Sequence, residues 1–139
     1  MSEKRKKIAA LIEPFHGQEL DARYLGYFEC FNQGRFFEAH EVLEDLWLAD
    51  RKGPDGSFYK GLIQLAGAFV HLEKKRPSPA SALFKLALGN FENYPEIHHR
   101  LDLKKVAGQI GEWLEALGAA RANGIELLPR ETPRLGLEK

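Results

Sequence analysis

Gly34 stands between two stretches whose apolar residues recur at helical spacing, and a chain broken in this way is committed to a corner there. Before the break, Tyr24, Tyr27, Phe28 and Phe31 fall at i, i+3, i+4 and i+7, an aromatic stripe along one helix face. After it, Phe36, Phe37, His40, Leu43, Glu44 and Trp47 fall within about 120° of one another on a helical wheel. Glycine supplies the left-handed backbone that ends a helix, and Asn32 tolerates the approach to it. The stretch Phe31–Trp47 therefore reads as a tight helical corner with His40 and Glu44 inside the apolar face, Glu38 and Asp45 pointing away and Glu41 on the flank.

The remaining punctuation divides the chain into further helices. Residues 1–20 read as a short basic helix broken at Pro14 and Gly17, with His16 exposed. Asp50–Ser57, with Gly53, Pro54, Gly56 and no apolar residue, is a loop. A long helix follows to about Lys75, with Phe58, Leu62, Leu65, Phe69 and Leu72 on one side and Tyr59, Ile63, Ala66 and Val70 on another, so it should be the central helix. Ser57, Gly61, Gln64, Gly67, Ala68 and His71 form a small or polar stripe between those sides, expected to admit the face that carries His40. Lys74–Pro79 breaks the chain again, with Ser78 as N-cap and Pro79 at the first position of a helix that ends by Tyr94-Pro95. His98-His99-Arg100 reads as a solvated turn, and Leu103–Leu117 as a fifth helix.

The expected fold is all-α: a single-domain bundle of about five main helices built from antiparallel helical hairpins, with nearly no strand. Residues 1–20 are then an N-terminal extension and residues 125–139 a non-helical C-terminal strap or tail. A chain of 139 residues with 44% hydrophobic content can bury a core of that size. Lysine plus arginine equals aspartate plus glutamate at 20 each, which removes the electrostatic reason to expect a nucleic acid or an anionic membrane as partner. The lone Cys30 excludes a disulfide within the chain and suits a reducing cytoplasm. The aromatic content, 11%, points to a two-fold homodimer that hides what five helices cannot.

The run Phe31-Asn32-Gln33-Gly34-Arg35-Phe36-Phe37-Glu38-Ala39-His40-Glu41-Val42-Leu43-Glu44-Asp45-Leu46-Trp47 resembles the signature of the domain-of-unknown-function 309 family, small bacterial and archaeal helical proteins. A second block, Gly61–Ala66 with His71 downstream, is similar to the same family. The resemblance implies a helical fold and a grouping with metal-dependent hydrolases.

Chemistry centres on His40-Glu41-Val42-Leu43-Glu44, an H-E-x-x-E one residue removed from the zinc-binding H-E-x-x-H. A histidine and a carboxylate one turn apart can hold a divalent ion, and His71 from a facing helix would complete a three-ligand site for zinc, manganese or iron. Glu41 or Glu38 would then serve as general base, with Gln64, Trp47 and Asn32 lining the pocket or supporting the ligands. Two other readings stand beside this enzyme. In one, His40 and Glu44 are a buried structural pair in a non-catalytic binding or dimerisation module; in the other, the cleft takes a small polar molecule or peptide. If the pair is buried, removing either member should cost on the order of 3 kcal/mol.

Overall fold

The structure, a computed structural model, describes residues 2–127 and 131–138. Helix α1 (Glu3–Ile12) is capped by the Ser2 hydroxyl and runs into a 3-10 turn at Glu13–Phe15, where Pro14 and the left-handed Gly17 stop it. Helix α2 (Ala22–Asn32) starts at Asp21, whose carboxylate accepts the Arg23 amide at 2.8 Å. Gly34, at φ +76°, closes it, and α3 (Phe36–Asp50) begins two residues later. Helices α4 (Gly56–Glu73) and α5 (Pro77–Phe91) follow, then a hairpin of β1 (Ile97–His98) and β2 (Leu101–Asp102), then α6 (Leu103–Ala122). The fold is all-α, as the periodicities indicate. Among the described residues, its departures are this hairpin of two-residue strands, paired Ile97 to Asp102 and His98 to Leu101, and a single bridge from Leu101 to Leu137.

Short connections at 33–35, 51–55 and 74–76 make sequence neighbours antiparallel partners, and ring contacts fix their register. Phe36, at the start of α3, stacks on Phe69 near the end of α4 with centroids 5.1 Å apart. Helix α5 returns along α4 so that Phe91 meets Gly61 and Leu83 meets Gly67. The small stripe on α4 thus receives α5, and the expectation that it would face His40 is corrected. Gly61 and Gly67 let the α5 rings and leucines approach, and Gln64 on the same stripe accepts a hydrogen bond from Asn90 of α5 at 2.7 Å. A second correction concerns the start of α5: Pro77 rather than Pro79 is its first residue, and Ser78 is inside the helix rather than its cap.

The core is one apolar cluster drawn from α2 to α6, with Tyr27, Phe31, Phe58, Phe69 and Phe84 among its fully buried members. Tyr27 donates its hydroxyl to the Leu62 carbonyl at 2.6 Å, so the ring is buried without an orphaned oxygen. Burial pushes the Cys30 thiol up, which suits inert packing rather than reactivity. Residues 125–127 and 131–138 carry no helix; 128–130 and Lys139, which complete the expected C-terminal strap, lie outside the described residues. Among the described residues, no helix is long and apolar enough to cross a membrane.

A Cβ on Gly61 would sit 2.6 Å from Cε1 of the buried Phe91 ring, so Gly61→Ala should destabilise by about 1–3 kcal/mol through forced separation of α4 and α5. Gly118 is exposed in α6, and an added Cβ there would meet nothing within 4 Å, so the same change should stabilise by about 0.5–1 kcal/mol. Urea denaturation of the two variants beside the parent measures both.

Candidate metal centre

The motif helix places its expected site residues differently from the wheel. Its buried face is Phe36, Ala39, Val42, Leu43 and Leu46, while Phe37 is half exposed and His40, Glu44 and Trp47 lie at the rim. Two basic residues explain the rotation. Lys7 stands over the Phe37 ring at 5.2 Å and Lys60 over Trp47 at 4.4 Å, so cations cover the outer faces of these aromatics, while Trp47 also packs against the edge of the core. His40 Nε2 and Glu44 do meet, at 3.3 Å, but each side chain is 29% exposed.

The acidic side of α3 is taken up by α1. Lys4 bonds Glu44 at 3.3 Å, Arg5 bonds Asp45 at 2.7 Å, and Lys7 holds Glu41. Arg23 bonds Asp45 from the other side at 3.0 Å. Glu41, expected on the flank as a general base, is buried and tied to an ammonium group. Glu38 is half buried with one carboxylate oxygen lacking a hydrogen-bond partner. His71 continues the α4 stripe that faces α5, its Nδ1 also without a partner, and it forms no ligand cluster with His40 and Glu44. Gln64 bonds Asn90, and Asn32 bonds the backbone of Leu135. The expected site residues therefore scatter over three faces.

Another constellation gathers where the sequence suggested only loops. Asp55 is the N-cap residue of α4, but its side chain makes no cap bond. Its two oxygens instead meet His98 Nε2 and His99 Nε2, each at 2.7 Å. The approach of Asp55 depends on a tight loop, in which the Gly53 amide donates to Asp50 and the Gly56 amide to Gly53. A Cβ on Gly56 would lie 2.2 Å from the Arg51 carbonyl oxygen, so this position admits only glycine.

The histidines are delivered by the hairpin turn. His99 and Arg100 occupy its two central positions at φ +46° and +63°, where glycine and asparagine are preferred. Left-handed backbone costs such residues roughly 1–2 kcal/mol each, strain of the kind found at functional sites. Tyr24 donates its hydroxyl to the His99 carbonyl at 2.8 Å and holds the turn down. Rings wall the pair: Phe58 lies edge-on to His98 at 4.8 Å, Tyr94 packs on it at 4.9 Å, and Tyr59 is parallel to His99 at 6.4 Å. Tyr94 also ties the loop to α4, donating to Pro54 and accepting from the Phe58 amide.

Burial alone would raise the Asp55 carboxyl, but the hydrogen bonds from His99 and His98 outweigh it and hold the group below its ordinary value. Burial, with the Asp55 and Asp50 charges added, pushes the Tyr59 hydroxyl up to about 12. Among the described residues, Asp55, His98 and His99 are the group of three whose possible ligand atoms all lie within 4.8 Å of one another. Their side chains are 21%, 22% and 34% exposed, open enough for a hydrated ion to reach. His98-His99 was visible in the sequence, but its partner lies 43 and 44 positions away in a loop with no metal-site spacing.

Residues 24–83 match the family described as Domain of unknown function (DUF309). An uncharacterized protein of Aquifex aeolicus (strain VF5) is 29% identical over 85 residues, which cover 61% of this chain and 26% of that protein. The match thus spans about a quarter of the relative's length. The family segment carries Asp55 but ends before the two histidines.

Because His40 and Glu44 are at the rim, His40→Ala or Glu44→Ala should cost no more than about 1 kcal/mol in chemical denaturation. This replaces the larger penalty a buried pair would have carried. Asp55 behaves oppositely with acid. Its folded pKa lies below the unfolded one of about 3.9, so its contribution is fully present above that value and is lost as pH falls through the folded one. Thermal melts from pH 6 to 2 should show the parent losing its advantage over Asp55→Asn across that window.

Proposed function

We propose that this chain, whose residues 24–83 match the domain-of-unknown-function 309 family, is a divalent-cation protein whose ligands are Asp55, His98 and His99. The observation that carries this reading is the convergence of two imidazole nitrogens on one carboxylate, each at 2.7 Å, at a strained turn. An ion would take the place of the two N–H protons. Two imidazoles and a carboxylate suit zinc, and equally iron(II), with positions left open for water or a substrate oxygen. The chemistry such a centre supports is metal-assisted hydrolysis or a related activation of bound water. The H-E-x-x-E helix then has a structural part, because its carboxylates anchor α1, and His40 serves Glu44.

Isothermal titration of chelator-treated protein with zinc tests the assignment. One ion should bind per chain, and Asp55→Ala or His98→Ala should weaken binding by more than about tenfold. His40→Ala should leave it unchanged. No uptake by the parent, or loss of uptake in His40→Ala alone, would sink the proposal.

A further inference from the structure

The hairpin that delivers both histidines has only two residues in each strand, too little to hold its own geometry. The C-terminal strap supplies what it lacks. Leu137 forms an antiparallel bridge to Leu101, and the Glu138 amide donates to the Arg100 carbonyl at 2.5 Å. Arg100 is one of the two left-handed turn residues, so the strap grips the strained position beside His99.

What holds the strap is Asn32, at the end of α2. Its amide nitrogen donates to the Leu135 carbonyl at 2.8 Å, and its carbonyl oxygen accepts the Leu135 amide at 2.8 Å. A side-chain amide that satisfies both groups of one residue reads an extended backbone as a neighbouring strand would. Leu135 itself is buried, against the wall formed by Phe69, Phe84, Ile110 and Trp113. The path from Asn32 to His99 is therefore continuous: amide clamp, buried leucine, bridge, turn.

We propose that Asn32 is a positioning residue for the Asp55–His98–His99 centre, acting through residues 135–138 of the strap. The proposal rests on the metal reading above and adds to it a reciprocal coupling. If a docked strap holds the histidines in the binding geometry, a bound ion must stabilise the docked strap by the same factor. Asn32 touches neither ion nor substrate, and its effect passes entirely through the turn.

Two measurements on the full chain test this. Cobalt(II) titration of Asn32→Leu, which removes both clamp bonds, should show affinity about tenfold below the parent with unchanged helical circular dichroism. Hydrogen–deuterium exchange read by mass spectrometry should show saturating zinc slowing exchange at 135–138 in the parent but not in Asn32→Leu. Glu138→Pro, an exposed change that deletes the donor to Arg100, should reproduce the affinity loss and guards against a clamp variant that fails to fold. Parent-like cobalt affinity in both variants, or strap exchange indifferent to zinc, overturns the positioning role and leaves the metal reading standing. If the parent takes up no cobalt, the metal reading fails. The positioning role is then judged on exchange at 97–102 without metal, which must quicken in Asn32→Leu or the role falls with it.

Discussion

Phe69 touches an aromatic ring from each of four other helices, and the bundle is arranged around that meeting. Phe31 of α2, Phe36 of α3, Phe84 of α5 and Trp113 of α6 lie with centroids 5.1–5.6 Å from it. Edge-on and stacked contacts at such distances add roughly 0.5–1.5 kcal/mol per pair beyond the area they bury. A ring that serves four partners can do so only from a helix buried on both sides, which is why α4 is central. The glycines at 61 and 67 on its third side then let α5 come close enough for Phe84 to take part.

At the other end of α4, Phe58 plays the same part for the candidate centre. It meets Tyr24, Tyr59, Phe91 and Tyr94 as well as both histidines. The Asp55–His98–His99 cluster is thus an extension of the aromatic core, with imidazoles in place of phenyl rings where the core reaches solvent. That placement gives the site rigid walls and one open side. It also explains how two non-glycine residues can be kept in left-handed backbone: Tyr24 from below and the strap from above over-determine the turn.

Helix α1 shows a different kind of attachment. It fully buries only Ile8, packs Leu11 against the edge of the core and Ile12 beside Gly26, and holds to α3 through Lys4, Arg5 and Lys7. The exposed pairs at Lys4 and Arg5 contribute little individually and are screened by salt, less so the Lys7 pair, whose Glu41 carboxylate is buried. Their consequence lies in what they cover, because the carboxylates of the most distinctive sequence motif spend their charge on the chain's own N-terminal helix.

Local chemistry determined a good deal. Gly34 as a helix stop, the aromatic stripe from Tyr24 to Phe31 and the two-sided pattern of α4 each follow from residues close together in sequence and are present as read, and the loop expected at Asp50–Ser57 is present over the shorter span 51–55. The tertiary structure alone decided which face of α3 turns inward, because Lys7 and Lys60, distant in sequence, cover two of its aromatics. It also decided that the small stripe of α4 receives α5, a choice a helical wheel cannot make between equivalent neighbours. The centre lay furthest from local reading. Asp55 and His98 are 43 positions apart, one at the start of α4 and one in the hairpin, and their side chains meet where the hairpin packs on Phe58. Periodicity reports what one helix offers to its surroundings, whereas a site assembled from loops depends on where the whole core sets those loops down.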